Sequence, residues 1–403
     1  MPLSGRIESI AMNDGTRMKE RIELLKAQIL RAASAPEPAI DGLKERPVFL
    51  MGALSDLGVM HGQRIVEGCE GVVAAIFDGV GDATIYGVPR WTSEDFLSRA
   101  KQYPNAIALD LASGLNGRGW IAALCAQVGV ERRDCVEAQA QLGLCAVYEE
   151  VPVYRRRTLE RLDEFLKLAV RFDDDFSRLT LFGNLLFRLT YDRGHIVKSS
   201  PTDEYFSGWG DASTFHLGTR EHYVDCGAYQ GPIVTKFLGA TGYRYESITA
   251  FEPDRMNFEK LQNVSSFPLH DYRPVSKAVS SKREVLKFTE TGTVSSHLAT
   301  DGGVLVETAR LDDELDKLTF LKMDIEGSET DALKGARRLL SSQRPRAAVC
   351  VYHYAHCLLR VMEQFDAAIE NYHFRLRQHC GYYYDLVLYA SPVSGIEPPV
   401  HVA

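Results

Sequence analysis

Tyr223-Val-Asp-Cys-Gly-Ala-Tyr-Gln-Gly231, Ala250-Phe-Glu-Pro-Asp254 and Phe320-Leu-Lys-Met-Asp-Ile-Glu-Gly-Ser-Glu329 decide the fold of this chain. Each piece reads as a strand that ends in acidic or glycine-rich residues. The three occur in order, with helical patterns between them. That arrangement spells a sheet edge able to take an adenosine-containing cofactor.

His222-Tyr-Val-Asp225 carries Tyr and Val beside a glycine-rich break, so a short buried strand is expected. Gly227 and Gly231 follow, and Gly231-Pro-Ile-Val-Thr-Lys-Phe-Leu238 reads as a helix with Pro232 in its first turn. A strand, a glycine loop and a helix let a ligand approach backbone that a Cβ would block. Ser247-Ile-Thr-Ala-Phe251 is the next strand, and Glu252 stands at its end. An acid roughly 20 to 25 residues past the glycines can take both hydroxyls of a ribose. An ordinary tight turn would explain Gly227 and Gly231 alone, but not Glu252 at that offset. The loop lacks the full dinucleotide fingerprint, and Asp225 leads it. A pyrophosphate would be repelled there. A cationic cofactor without phosphate, S-adenosylmethionine above all, would be attracted.

Leu321, Met323 and Ile325 alternate with Lys322, Asp324 and Glu326. A central parallel strand is normally apolar throughout. The polar residues therefore mark its carboxyl end, where open α/β sheets hold their ligands. Ser328 reads as an N-cap, with Glu329 and Asp331 in the first turn of a helix running to Leu340. Capping explains Glu329 and Asp331. For Glu326, capping and chemistry weigh equally.

These residues resemble the FkbM family of S-adenosylmethionine-dependent methyltransferases. The matching text is Val224-Asp-Cys-Gly-Ala228, Ala250-Phe-Glu-Pro253, Lys277-Ala-Val-Ser280, Val294-Ser-Ser-His-Leu298, Ala309-Arg-Leu-Asp-Asp-Glu314, Lys322-Met-Asp-Ile-Glu-Gly-Ser-Glu329 and Leu333-Lys-Gly-Ala336. Cys350-Val-Tyr-His353 and Phe374-Arg-Leu-Arg377 are similar as well. The resemblance spans about residues 200 to 392, and the ordered series is specific where single pieces are weak. It implies a class I methyltransferase fold, a seven-stranded Rossmann-like sheet with an antiparallel last hairpin. It implies cofactor contacts at Asp225, Gly227, Ala228, Gly231, Glu252, Pro253, Ala278 and Asp324. The hairpin also reads directly: Arg346 to Tyr352 is a strand, Leu358 to Ile369 a helix, and Phe374 to His379 with Asp385 to Ala390 two strands.

The chain has 403 residues, so two domains are the default. We expect a helix and linker over 1–45, a Rossmann-like α/β domain over 46–150, a helical bridge and loop over 151–212, and the methyltransferase domain over 213–403. Within 46–150, Pro47 to Met51, Gly52 to Gly58, Val72 to Phe77 and Asp78 repeat the strand, glycine, helix, strand and acid order. It resembles small Rossmann-like domains that precede sugar-modifying transferases. A nucleotide-sugar-like ligand and a ligand-less scaffold for partner contacts weigh equally there. The C-terminal motif series is complete in itself, so a chain beginning near Ser199 is expected, if it folds, to bind the cofactor alone. Ser199 to Asp211, with Tyr205, Phe206 and Trp209, reads as a lid or as packing. Asp173-Asp-Asp175 reads as a solvated helix start.

Hydrophobic content of 45% and charged content of 25% are those of a soluble globular protein. The net charge of −8 argues against nucleic acid as main substrate. No long apolar run or signal peptide is seen, and the eight cysteines form no Cys-x-x-Cys pair. A cytoplasmic protein without a membrane span is expected, and oligomerisation is left open. The acceptor implied by the resemblance is a hydroxyl on a sugar, glycolipid or polyketide-like metabolite. Glu326, His353 and Asp324 are the catalytic candidates, with His297 behind them. Asp324 doubles as a holder of the cofactor's amino group. His353 and His356 lack a visible third ligand, so no metal is expected. An NAD-dependent oxidoreductase and a non-catalytic cofactor-binding scaffold are the competing readings. Calorimetry should detect S-adenosylmethionine and S-adenosylhomocysteine, and Glu252→Ala should weaken both by about 1–2 kcal/mol or more. Absence of heat with either ligand would remove the cofactor reading.

Overall fold

The computed structural model describes residues 15–200, 204–206, 217–266, 268–293, 296–298 and 302–393. Trp209, Val294 and Ser295 of the sequence reading lie outside them. The apolar runs of the N-terminal half become β1 (Val48–Met51), β2 (Val72–Ile76), β3 (Thr84–Ile85), β4 (Val88–Trp91), β5 (Ile107–Asp110) and β6 (Glu131–Asp134). They form one sheet in the order β3-β4-β2-β1-β5-β6, parallel except for β3. β1 and β5 are buried throughout, as parallel strands covered on both faces must be.

The C-terminal half supplies β7 (His222–Cys226), β8 (Ser247–Phe251), β9 (Tyr272–Val275), β10 (Ala278–Val279), β11 (Val285–Thr289), β12 (His297–Leu298), β13 (Val304–Ala309), β14 (Phe320–Met323), β15 (Arg346–Cys350), β16 (Tyr372–Gln378) and β17 (Leu386–Pro392). The large sheet runs β16-β17-β15-β14-β7-β8-β9. β17 is antiparallel to both β15 and β16, and the other pairings are parallel. A four-stranded sheet, β10-β13-β11-β12, is inserted between β9 and β14. The helix expected to run to Leu340 is split into Glu329–Lys334 and Arg337–Gln343. Between them Gly335 abuts the carbonyl of Ser280, where a Cβ would come within 2.2 Å.

The bridging helices belong to the C-terminal core. Leu162, Phe165, Leu179, Phe182, Leu185 and Leu186 are buried in the same cluster as Val349, Leu376 and Leu388. Ile22, Leu25 and Ile29 of the helix Gly15–Ser34 join it. Polar ties reinforce the packing. Asn184 donates to Gln378 at 2.9 Å, and Asp174 accepts from Arg377 at 2.9 Å and from the Ser177 N–H at 2.6 Å. The acidic run is thus a cap and an anchor as well as a helix start.

In the N-terminal sheet the strand order reverses between β1 and β5, where such sheets take ligands. That edge is filled by the chain itself. Arg193 is buried and reaches Asp134 Oδ1 at 2.7 Å, the Ala112 carbonyl at 2.8 Å and the Asp110 carbonyl at 2.5 Å. The Ser55 hydroxyl donates to the Leu111 carbonyl at 2.5 Å. Gly58 is needed because a Cβ would lie 2.2 Å from the Ala53 carbonyl, and Asp78 accepts from Ser93. Gly58 and Asp78 serve the local fold here, and Arg193 stands at the edge where a nucleotide-sugar-like ligand or a partner contact is expected.

The packing bears on the condition set for a chain that begins at Ser199, namely that it folds. It would lose the six bridging side chains named above, at roughly 1.5–3 kcal/mol each. That rivals the whole stability of a domain, about 5–15 kcal/mol. Such a chain is expected to show no cooperative melting by circular dichroism. A sharp transition with intact cofactor binding would contradict this.

Candidate active site

β7, β8 and β14 are neighbours in the sheet, so their carboxyl ends meet at one edge. After β7 the loop turns through left-handed backbone at Gly227 (φ 77°), Tyr229 (φ 51°) and Gly231 (φ 92°). A Cβ on Gly227 would sit 1.8 Å from the Asp324 carbonyl oxygen. Glycine is the residue that allows the two strand ends to touch. The N–H groups of Gly227 and Ala228 both donate to the Phe251 carbonyl, at 3.1 and 3.0 Å. Gly231 packs on Val264, where a Cβ would come within 2.3 Å. Ala228 and Gly231 therefore shape the loop and do not line the cleft.

The cleft lies between this edge and the inserted sheet, with about 660 Å³ of atom-free space. Gly227, Glu252, Pro253, Ala278, Asp324 and Glu326 line it, as the sequence reading expects. His297 and Lys277 add to the wall. Lys277 is met by Glu314 at 3.5 Å and Glu307 at 3.6 Å.

Glu252 accepts from the Tyr229 N–H at 2.8 Å and the Asp254 N–H at 2.9 Å. Burial pushes its carboxyl up to about 7, against the pull of those two donors. Two hydroxyl donors, such as those of a ribose, would relieve that desolvation.

Asp225 behaves otherwise than expected. It is fully buried, does not line the cleft, and pairs with Lys322 Nζ at 3.0 Å. Lys322 also donates to the Gly227 carbonyl at 2.7 Å. Burial raises the Asp225 carboxyl and Lys322 works against it; Lys322 itself, though buried, is held as an ammonium by Asp225 and Asp324. The pair is self-neutralising. Neither the attraction of a cationic cofactor nor the case against a pyrophosphate can rest on Asp225.

Beyond β14 the alternation stops, because Glu326 (φ 57°) and Gly327 (φ 96°) turn left-handed. This turn carries Glu326 into the cleft. Ser328 occupies the N-cap position without a side-chain cap bond. Glu329 takes over, accepting from the Ile325 N–H at 3.1 Å and the Gly327 N–H at 3.2 Å.

His353, just past β15, is fully buried and absent from the cleft wall. Its Nδ1 faces Glu329 Oε1 at 3.1 Å. Its Nε2 faces Asp324 Oδ1 and Glu326 Oε2, both at 3.3 Å. Burial alone would depress the imidazole. Glu329, Asp324 and Glu326 outweigh it and hold the ring well above its ordinary range. With a carboxylate facing each ring nitrogen, His353 is placed to hold carboxylates in position, beside the catalytic role expected for it. For Asp324, burial would raise the carboxyl, but the His353 hydrogen bond and charge carry it well below the usual range. The hydroxyls of Tyr205 and Tyr352 each lie 3.3 Å from it. Asp324, Glu329 and His353 offer ligand atoms within 4.8 Å of one another.

The sequence reading missed Tyr148. Its hydroxyl donates to Glu326 Oε2 at 2.6 Å across 178 positions of chain. Nothing in the local pattern of Cys145-Ala-Val-Tyr-Glu149 signals this. The role of Glu329 was hidden by its equally good fit to a helix start.

An open α/β sheet with an antiparallel closing hairpin and a glycine–acid edge defines the class I methyltransferase architecture. Residues 225–384 match the methyltransferase FkbM domain, and the C-terminal half therefore carries that domain. The crystal structure of methyltransferase FkbM from Methylobacillus flagellatus KT is similar over 93% of this chain and 100% of its own, with 25% identity and a TM-score of 0.74. The similarity takes in the N-terminal half as well. A protein described as an rRNA methylase, from Clostridium thermocellum, overlays 43% of this chain at 10% identity with a TM-score of 0.30, too slight to carry an argument. No curated protein matches the sequence. The domain match, rather than Asp225, is what separates this chain from NAD-dependent oxidoreductases.

Glu252 makes binding sensitive to pH. In the ligand-free protein burial keeps it protonated up to about pH 7. Hydroxyl donors need the carboxylate, so binding below that pH expels a proton, and affinity must rise with pH. Calorimetry should show affinity for S-adenosylhomocysteine rising about tenfold between about pH 6 and 8, then levelling. A flat profile would mean that Glu252 does not meet the ligand.

Proposed function

We propose that this protein is an S-adenosylmethionine-dependent O-methyltransferase acting on a hydroxyl of a sugar, glycolipid or polyketide-like metabolite. The observation that carries the reading is the shared cleft: Glu252 at one end, suited to a ribose, and Glu326 at the other, suited to a proton. The residues present fit the cofactor. The carboxylate at the end of β8 matches a diol, Gly227 and Ala278 leave room, and Asp324 offers a negative charge for an amino or sulfonium group. S-adenosylmethionine, when bound, supplies a methyl group on a good sulfonium leaving group.

The protein's part is then to position the acceptor and take its proton. Glu326 Oε2 is engaged by Tyr148 and His353. Oε1 has no protein hydrogen bond among the described residues, and Glu326 lines the cleft. With the methyl group supplied by the cofactor, the proton of a bound acceptor hydroxyl would pass to Oε1. Asp324 is pinned by His353, Tyr205 and Tyr352, and keeps its negative charge beside the reacting centre. His353 stays protonated throughout and keeps both carboxylates aimed. No helix among the described residues is long and apolar enough to cross a membrane.

The test begins with a screen of hydroxylated sugars and glycosides using labelled cofactor. On an acceptor so found, Glu326→Gln should lower turnover about hundredfold or more. Its affinity for S-adenosylhomocysteine should stay near wild type, whereas Asp324→Asn should damage both. Cofactor binding without turnover on any acceptor would favour the scaffold reading. Near wild-type turnover in Glu326→Gln would move the base elsewhere, to His297 first.

A further inference from the structure

Tyr148 belongs to the N-terminal half, yet its side chain lies against the candidate site. We propose that Tyr148 is a positioning residue for methyl transfer: it fixes Glu326 so that one carboxylate oxygen is presented to the acceptor. This rests on the reading of Glu326 as the proton acceptor.

Four observations carry it. First, the Tyr148 hydroxyl donates to Glu326 Oε2 at 2.6 Å, the same oxygen that His353 Nε2 approaches at 3.3 Å. Two donors on one oxygen select a single orientation of the carboxylate and leave the other oxygen without a protein donor among the described residues. Second, Glu326 sits in left-handed backbone ahead of a second left-handed residue, Gly327. A bulky residue in that region costs about 1–3 kcal/mol and persists only where its surroundings enforce it. The Tyr148 bond is such an enforcement. Third, the Tyr148 ring lies against His297 (4.8 Å between centroids), Tyr354 (5.8 Å) and His353 (6.1 Å, 25° between planes). The same ring therefore borders His297, a residue of the cleft wall.

Fourth, the segment that presents Tyr148 is pinned to the C-terminal sheet on its far side. Ala146 N–H donates to the Glu149 carbonyl at 2.7 Å, and Val151 N–H to the Leu144 carbonyl at 3.1 Å, closing a tight turn around Tyr148. The buried Glu149 carboxylate then accepts the Ala355 N–H at 2.9 Å and pairs with Arg157. The Tyr154 hydroxyl donates to the Tyr352 carbonyl at 2.9 Å. Both anchors land on the stretch that carries His353 and Tyr354. A tyrosine held this firmly is preorganised rather than recruited. Burial, and then the neighbouring Glu326 charge, raise the Tyr148 phenol above its ordinary range, in keeping with a donor that never gives up its proton.

The test uses the full chain and Tyr148→Phe, which keeps the ring and removes the donor. Turnover on a screened acceptor should fall about tenfold or more, with the loss in kcat. Affinity for S-adenosylhomocysteine should stay within about twofold. A second readout needs no acceptor. With ring-labelled tyrosine, NMR should show one phenol, the signal missing from Tyr148→Phe, ionising above the ordinary range. Glu326→Gln should lower that ionisation by about one pH unit or more. The proposal is overturned if Tyr148→Phe keeps full turnover, if it loses cofactor affinity as much as turnover, or if Glu326→Gln leaves the phenol unmoved. Failure of the methyltransferase reading looks different: wild type would bind neither cofactor form, while the phenol signal would still report the Tyr148–Glu326 pair.

Discussion

The close approach of two strand ends governs this structure. The loop after β7 lies so near the end of β14 that only a glycine fits at position 227. Lys322 fastens the contact by donating to the Gly227 carbonyl while pairing with Asp225. Both charges are buried, so neither can be removed alone without leaving the other uncompensated, at a cost of about 3–5 kcal/mol. The pair stabilises less than it specifies. It fixes one register of loop against strand, and that register sets the distance from Glu252 to Asp324 and Glu326.

The electric field at the cleft follows from which charges are already spent. Asp225 is cancelled by Lys322, and Lys277 is met by two glutamates. His353 is one cation among Asp324, Glu326 and Glu329. One histidine among three carboxylates leaves this end of the cleft negative. A sulfonium would be drawn to it. The negative charge inferred from the leading aspartate of the glycine loop is therefore real in sign and displaced in position, by one strand, to the carboxylates that follow β14.

Much of this was legible in the sequence, for reasons that differ by residue. Gly227, Glu252, Asp324 and Glu326 follow strands whose apolar runs and breaks are local, so order along the chain sufficed to place them on one edge, whereas Pro253 and Ala278 came from the family resemblance. The closing hairpin was legible because Phe374 to His379 and Asp385 to Ala390 alternate over a short connection. Asp225 and Lys322 were misread because a charged residue in an apolar strand looks like a strand end until its partner, 97 positions away, is seen. The setting of His353 was not legible, because a lone histidine does not disclose the three carboxylates that fold around it. The bridging helices hide their allegiance in the same way. Their apolar stripes show that something is covered, not that it is β16 and its neighbours.

The N-terminal half shows how a ligand-type sheet edge can be put to another use. At its switch point the acidic and carbonyl groups that would meet a ligand instead meet Arg193. Arg193 follows directly on the helix Asp175–Thr190, which packs into the C-terminal core and whose Asn184 bonds to Gln378 of β16. The guanidinium therefore ties the edge of one sheet to the core of the other, with both ends buried and fully engaged. A bound small molecule would leave that connection to diffusion, whereas a covalently supplied arginine makes it permanent. The consequence reaches the cleft. With the N-terminal sheet locked in place, the turn around Tyr148 can be held against the stretch from Tyr352 to Ala355 at bonding distances, and a side chain encoded far from the motif series becomes part of its geometry.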